Sequence, residues 1–392
     1  MSNSKRWIWI VLDSVGIGAA PDAERYGEED VKSNTLGHIA EAVNGLQIPN
    51  LAKLGLGCIA DIRGVPCENP NGAYGKMQEQ SAGKDTTNGH WEFVGVILNE
   101  PLPVYPNGFP IEIIKPFEDY IGKKVLCNRP ASGTEVIEKY GNEHVRTGCP
   151  IVYTSGDSVF QIAVHEAVVP VDVLYDWCLF ARRLLSGEHG VGRVIARPFE
   201  GSIGHYQRTH RRRDYSLDFG DTVLNHVADE GFPVCGIGKI SDIYGGSGIT
   251  RSIPTDDNAD AVRQLIQCMD NQTDGIIYAN LVDFDALYGH RNDAIGFARA
   301  VEAFDMQLPQ IQRQMQTGDI LCITADHGCD PTTVGTDHSR EYVPLLVWHP
   351  QLSEAVNLNV LSTFADIGAT VADYFSVAPS TAGQSFLHLL QL

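Results

Sequence analysis

Trp7-Ile8-Trp9-Ile10-Val11-Leu12-Asp13 is an unbroken apolar run closed by an acid. Rich in β-branched and aromatic residues, it reads as a strand buried on both faces, as in a parallel sheet covered by helices. Comparable runs recur at 275–282, 319–324 and 343–348. Between and beyond them, helical spacing of apolar residues covers 221–230, 257–269, 294–315 and 364–375. Strands alternating with helices predict an α/β fold with a mostly parallel sheet.

The middle of the chain departs from this pattern. It opens with Pro101, Pro103, Pro106 and Pro110 and continues with short apolar runs at 151–154 and 191–196. One strong helical segment, 171–185, follows the first of these runs, and the basic stretch Arg208-Thr-His-Arg-Arg-Arg213 closes the region. We expect an inserted second domain over residues 101–216, with residues 1–100 and 217–392 forming one discontinuous core. A chain of 392 residues is long enough for two or three cores.

With 29 Lys and Arg against 49 Asp and Glu, the chain carries a formal charge of −20. That surface repels nucleic acid and anionic lipid, so neither is an expected partner, and an anionic substrate requires a local cationic patch or bound cations. No obligate protein partner is evident in the sequence. The nine cysteines are scattered from Cys58 to Cys329 without a CxxC pair, which fits neither a disulfide framework nor a thiolate zinc site. The apolar run that starts at Trp7 stops at Asp13, shorter than a secretory core or a membrane span. A cytoplasmic location is expected.

The acids fall where strands end. Asp13 follows the first strand, Asp283 and Asp285 follow the strand ending at Val282, and Asp326-His327 follows 320–324. In an open parallel sheet the carboxyl ends of the strands share one edge, and ligands bind there. His290 lies five residues beyond Asp285, and Asp337-His338 eleven beyond Asp326-His327. Any one of these is explained as a helix cap or a satisfied core histidine. Asp13, Asp285, His290, Asp326, His327 and His338 together would be an intolerable charge cluster without a cation. Their mixed oxygen and nitrogen set suits Mn²⁺ or Zn²⁺ better than Mg²⁺. Strand alternation puts Asp283 and Asp285 on the same side and does not choose between them. Cys329, close by in sequence, offers a soft ligand, but the absence of other thiolates in the motif favours a buried packing role.

A second constellation is Ser81-Ala-Gly-Lys-Asp-Thr-Thr-Asn-Gly-His-Trp-Glu92. Either threonine serves as a helix N-cap, with Asp85 favouring the positive helix end. The same placement exposes a hydroxyl to donors that bind phosphate, and a cation beside it would activate it as a nucleophile. The basic stretch from Arg208, with Arg193, Arg197 and Lys239, supplies an anion clamp. Gly236-Ile-Gly-Lys239 and Gly245-Gly-Ser-Gly248 lack the full phosphate-loop and dinucleotide fingerprints.

Five motifs carry a family resemblance: Asp13-Ser-Val-Gly-Ile-Gly18, Gly83-Lys-Asp-Thr86, Val282-Asp-Phe-Asp-Ala-Leu-Tyr-Gly-His290, Thr324-Ala-Asp-His-Gly328 and Gly335-Thr-Asp-His338. Together with Val152–Ser158, Val191–Pro198 and Gly238–Tyr244, they make the chain similar over its whole length to the phosphopentomutase family of the alkaline phosphatase superfamily. The resemblance implies an alkaline-phosphatase-like core with a mostly parallel central sheet and an inserted, smaller α/β cap. It implies two Mn²⁺ ions, one held by Asp13, Asp326 and His327, the other by Asp285, His290 and His338. It places the phosphorylated nucleophile at Thr86 and substrate contacts at Ser155, Asp157, Arg193, Arg208 and Lys239. The activity implied is the interconversion of ribose 1-phosphate and ribose 5-phosphate, and of the deoxyribose forms, through a bisphosphate, with glucose 1,6-bisphosphate as activator. The alternative is a two-metal phosphatase, a sulfatase or another phosphosugar mutase of the superfamily. Asn88 stands where this family often has threonine.

Overall fold

The computed structural model describes residues 5–155, 158–379 and 382–391. It divides into two compact units, one of Met1–Glu100 with Gly220–Leu392, the other of Pro101–Phe219.

The first unit is built on an eight-stranded sheet. Its order is 251–253, 234–237, 275–281, 6–12, 319–324, 343–348, 73–77 and 356–361. Neighbouring strands are parallel except where Val343–Trp348 runs against both of its partners. Arg6–Leu12 lies at the centre because it is apolar on both faces. Trp7, Ile8, Trp9, Ile10 and Val11 are fully buried, each worth about 1.5–3 kcal/mol relative to exposure. Trp9 stacks on Tyr278 of the neighbouring strand at 4.4 Å between ring centroids. In-register pairing sets Val11 opposite both Asn280 and Thr324, and Leu12 opposite Leu281. The residues that follow these three strands therefore leave the sheet side by side.

The helices keep close to their periodicity: Val223–Asp229, Asn258–Asn271, Ala294–Arg313 and Ala365–Phe375. Four sheet members do not read as strands in sequence, among them Val234–Ile237 and Arg251–Ile253, too short to carry a pattern. Ala73–Met77 is short and contains Gly75, and Val356–Leu361 is a half-exposed edge.

The second unit holds a sheet in the order 126–130, 151–154, 159–165, 193–200 and 207–208, with 213–216 also paired to 193–200. Ile111–Ile121 and Val171–Leu184 pack their apolar faces into one core with Phe117, Phe160 and Trp177. Gly133–Thr147 packs Val136 and Ile137 into a separate cluster with Ile151 and Phe199.

The cysteine expectation needs correction at one point. Cys58 and Cys67 form a disulfide, their Cα atoms 4.7 Å apart across a short loop, while the other seven cysteines are free. A scattered, odd-numbered set does not reveal one local pair. Among the described residues, no helix is long and apolar enough to cross a membrane.

The central strand is anchored at its start by a buried ion pair. Arg6 donates from Nε to Asp319 Oδ1 at 3.1 Å and from Nη2 to Oδ2 at 2.5 Å, and also bonds the Met269 and Gln272 carbonyls. Both side chains are fully buried. Asp319→Ala should lower the unfolding free energy by about 3–5 kcal/mol, because it strands a buried guanidinium. Arg6→Met with Asp319→Leu should recover most of that loss in chemical denaturation; a double variant as unstable as the single one would contradict this account.

Candidate functional site

Asp13 leaves the central strand and is fully buried. Its Oδ2 accepts a hydrogen bond from Asn280 Nδ2 at 3.0 Å, and its Oδ1 has none. Ser14 follows with φ +68°, a left-handed conformation uncommon outside glycine. That turn aims the Ser14 amide at Asp326 Oδ1, 3.1 Å away. His327 Nδ1 donates to the Gly328 carbonyl at 3.0 Å, which leaves the Nε2 lone pair facing the acids. Nε2 lies 3.4 Å from Asp13 Oδ1 and 3.5 Å from Asp326 Oδ2.

The second acid group comes from a wide helical turn, Phe284–Tyr288, directly after the 275–281 strand. Here the structure distinguishes the two aspartates. Asp283 turns away: its carboxylate accepts from the Asn258 amide at 2.8 Å, while its own amide donates to Asn258 Oδ1 at 3.0 Å. Asp285 turns inward, 3.3 Å from His290 Nε2 and 3.4 Å from His338 Nε2. His290 Nδ1 donates to the Thr336 carbonyl at 2.6 Å, so its Nε2 also points inward, 3.1 Å from His338 Nε2.

Three residue sets bring ligand atoms within 4.8 Å of one another: Asp13, Asp326 and His327; Asp285, His327 and His338; and Asp285, His290 and Cys329. All six residues singled out in the sequence thus lie in one connected cluster.

The electrostatics follow from packing acids and imidazoles together away from solvent. Burial and the Asp326 carboxylate raise the Asp13 carboxyl above its ordinary range. Burial opposes ionisation of Asp285 as well, yet bonding to His290 and His338 carries it well below that range. Asp285 in turn pushes His290 up to about 11. Asp13 Oδ1, Asp285 Oδ1 and Asp326 Oδ2 are buried and accept no hydrogen bond. Buried carboxylate oxygens are costly without a donor or a cation, so the donor set fits hard or borderline divalent ions.

Thr86 opens the helix Thr86–Phe93, and its Oγ1 sits 3.1 Å from His327 Nε2. Neither threonine caps that helix. Asp85 does, accepting from the Thr87 and Asn88 amides at 2.9 and 3.2 Å. A carboxylate serves the helix end as well as a hydroxyl, and the Thr86 side chain is left free of capping. Asn88 steadies the cap by donating Nδ2 to Asp85 Oδ2 at 2.9 Å. The close approach depends on Gly89, where a Cβ would lie 2.2 Å from the Asp326 carbonyl oxygen.

Residues not singled out in the sequence hold this arrangement. His90 Nδ1 contacts the Thr86 carbonyl at 2.9 Å and Asp326 Oδ2 at 3.2 Å. Glu92, fully buried, accepts from the Gln80 and Ser81 amides, the Thr363 hydroxyl and the Phe364 amide. Arg340 binds the Ser81 and Gly83 carbonyls at 2.9 and 2.6 Å and Glu79 Oε2 at 2.5 Å. Glu341 accepts from the Gly18 and Thr35 amides, both at 2.9 Å. His90 and Glu92 lie within the quoted threonine motif, and Arg340 and Glu341 directly follow His338-Ser339. Proximity in sequence is the one signal they offer.

Of the substrate-contact expectations, Lys239 follows the 234–237 strand and precedes the short helix Ile240–Ile243. Asp157 lies outside the described residues. Ser155, Arg193 and Arg208 belong to the second unit, where the strands gather a set of arginines. Asp214, opposite Ile195, accepts from Arg212 Nε and Nη2 at 2.7 and 2.6 Å and from Arg193 Nη1 at 3.4 Å. Arg197 bonds Gln161 Oε1 at 3.1 Å, and burial, with Arg212 nearby, lowers its guanidinium to about 10. Burial raises the Tyr153 phenol while Arg197 and Arg208 oppose the rise. The Asp214 carboxylate, burial notwithstanding, is held low by Arg212. The Asp214 carboxylate thus stands among the guanidiniums of Arg193, Arg197 and Arg212.

Comparison with known proteins identifies the family. The metalloenzyme superfamily model matches residues 5–379. A phosphopentomutase of Acetivibrio thermocellus is 57% identical over 385 residues, covering 98% of this chain and 99% of that one. A phosphopentomutase of Caldanaerobacter subterraneus subsp. tengcongensis is 55% identical over 391 residues, covering 99% and 98%. In fold, the chain is similar to the PH0037 protein from Pyrococcus horikoshii, with a TM-score of 0.51 at 14% identity over 97% of this chain and 99% of that one. The chain therefore belongs to the phosphopentomutase family, isomerases of the metalloenzyme superfamily.

Proposed function

We propose that Thr86 is the phosphate-carrying nucleophile of a mutase that interconverts ribose 1-phosphate and ribose 5-phosphate, together with their 2-deoxy forms. The observation that carries this reading is the Thr86 Oγ1–His327 Nε2 distance of 3.1 Å, which sets a hydroxyl free of capping duty against the acid–imidazole cluster. Asp13, Asp326 and His327 would hold one Mn²⁺, and Asp285, His290 and His338 a second. Such ions, when bound, neutralise phosphoryl oxygens and lower the pKa of a coordinated hydroxyl.

In this reading phospho-Thr86 gives its phosphoryl group to the free hydroxyl of a pentose phosphate. The bond from phosphorus to Thr86 Oγ1 breaks as the bond to the sugar oxygen forms, and the sugar hydroxyl's proton is released. The sugar bisphosphate then returns its other phosphoryl group to Thr86, and a proton is regained, so no water is consumed. Glucose 1,6-bisphosphate would prime Thr86 by the same transfer. Phosphoryl transfer asks chiefly for positioning and charge neutralisation. The chain supplies positioning through the Asp85 cap and the Glu92 and Arg340 tethers.

Residues 101–216 would act as a cap that excludes water, since hydrolysis of phospho-Thr86 wastes the primed enzyme. Ser155, Asp157, Arg193, Arg208 and Lys239 would grip the sugar phosphate, with Asp214 fixing the Arg193 fork. A charge of −20 disfavours nucleic acid and membranes as partners. Seven free thiols, outnumbering the two cysteines of the Cys58–Cys67 disulfide, favour a cytoplasmic location.

Purified protein given ribose 5-phosphate, Mn²⁺ and a trace of glucose 1,6-bisphosphate should form ribose 1-phosphate. Mainly free phosphate would instead favour a phosphatase. Mass spectrometry should find one phosphate on the primed protein, located at Thr86; phosphate retained in Thr86→Val would move the nucleophile elsewhere.

Asp214→Asn should raise KM about tenfold, equal to the roughly 1.4 kcal/mol of a weakened charge-assisted contact, with metal content unchanged. An unaltered KM would remove Asp214 and Arg193 from substrate binding.

Metal removal should separate two effects of Asp13. In chelator, Asp13→Asn should melt no lower than the parent, because it relieves carboxylate repulsion. With Mn²⁺ present the parent should gain several degrees by binding linkage, and the variant should gain much less. Equal gains would take Asp13 out of the metal centre.

A further inference from the structure

We propose that Cys329 gives this centre a second, soft coordination position for thiophilic divalent cations, built from Asp285, His290 and Cys329. The inference rests on the reading of the cluster as a metal centre and concerns a residue that the reading does not use.

Asp285, His290 and Cys329 place a carboxylate oxygen, an imidazole nitrogen and Sγ within 4.8 Å of one another. Two of the three are shared with His338, whose Nε2 faces Asp285 Oδ1 at 3.4 Å. The cluster therefore offers a cation two alternative third ligands, an imidazole or a thiolate.

The position is built rather than incidental. Cys329 is 1% exposed and Asp285 6% exposed. Asp285 Oδ1 accepts no hydrogen bond. His290 has Nδ1 committed to the Thr336 carbonyl, which presents Nε2 inward. The thiol faces the His290 imidazole and makes a long contact to the Asp337 carbonyl, 3.6 Å from Sγ, which a metal bond would readily replace. At Gly289 a Cβ would stand 2.8 Å from Sγ. The lack of a side chain there lets the turn carrying His290 close onto the sulfur.

Ligand softness then sorts the ions. Mn²⁺ prefers oxygen and imidazole, and takes His338; Cd²⁺ and Zn²⁺ favour thiolate, and take Cys329. Binding exchanges the S–H bond for an S–metal bond and releases the proton to solvent, with no change of oxidation state. A thiophilic ion so held shares Asp285 and His290 with the second Mn²⁺ position and excludes Mn²⁺ from it.

The test uses the full chain, stripped of metal and titrated with Cd²⁺ while thiolate-to-cadmium charge transfer is followed in the near ultraviolet. Mn²⁺ affinity is measured in parallel by the electron paramagnetic resonance of the free ion. The parent should develop the band, and Cys329→Ser and Cys329→Ala should lose it. Their Cd²⁺ affinity should fall on the order of 100-fold while Mn²⁺ affinity changes less than about threefold. His338→Ala should do the reverse, losing Mn²⁺ affinity and keeping the band. Should the cysteine variants misfold by circular dichroism, alkylation of the parent with and without Cd²⁺, mapped by mass spectrometry, decides the matter: Cys329 should be protected by Cd²⁺, and labelling of Cys329 unchanged by Cd²⁺ overturns the proposal. No band in the parent, or a band that survives removal of Cys329, overturns the proposal. Mn²⁺ binding without the band defeats this inference alone, whereas absence of Mn²⁺ binding defeats the metal centre on which it rests.

Discussion

Three carboxylate oxygens that accept no hydrogen bond, on Asp13, Asp285 and Asp326, face one another inside the protein. Everything at this sheet edge answers to that constraint. Water is excluded from the acids, protein donors satisfy only their outer oxygens, and imidazoles stand where further donors would otherwise be needed. Three histidines with inward nitrogens soften the repulsion without cancelling it. A polypeptide that folds to such an arrangement has left the remaining charge to be supplied from outside, and its membership in a metal-using family is the chemical counterpart of that deficit.

The constraint also explains the density of bonds around the site. Buried like charges push their supporting loops apart, so each loop is tied to something rigid. Asp13 and Asp326 are steadied by Asn280 and the Ser14 amide, both set by strand register. The Thr86 loop is tied through Glu92 and Arg340, and the 16–18 segment through Glu341. These are charge-assisted bonds in a dry interior, where each is worth more than at the surface.

Much of this is legible in the sequence, and the limits have physical causes. The central strands announce themselves because burial on both faces leaves no polar interruption, and an acid directly after each marks the shared edge. The edge strand 356–361 and the short 73–77 strand carry too little apolar signal to be seen. At the Thr86 helix the cap is the carboxylate of Asp85 and not a hydroxyl, since either side chain accepts from the same amides. Asp283 and Asp285 share a strand face by alternation, and only the wide turn after Val282 separates them. Arg340, Glu92 and Glu341 act on groups up to 323 residues away, a pairing that no periodicity encodes. The division of the six metal-binding candidates between two ions came from family resemblance and not from spacing.

Arg340 has a consequence that reaches beyond holding a loop. Its guanidinium grips the carbonyls of Ser81 and Gly83 and the side chains of Glu79 and Asp22, and it stands two residues after His338. The hydroxyl of Thr86 and the imidazole of His338 are thereby mounted on one stiff frame. Displacing either would drag the other, so the spacing between that hydroxyl and that imidazole is set by the fold in advance.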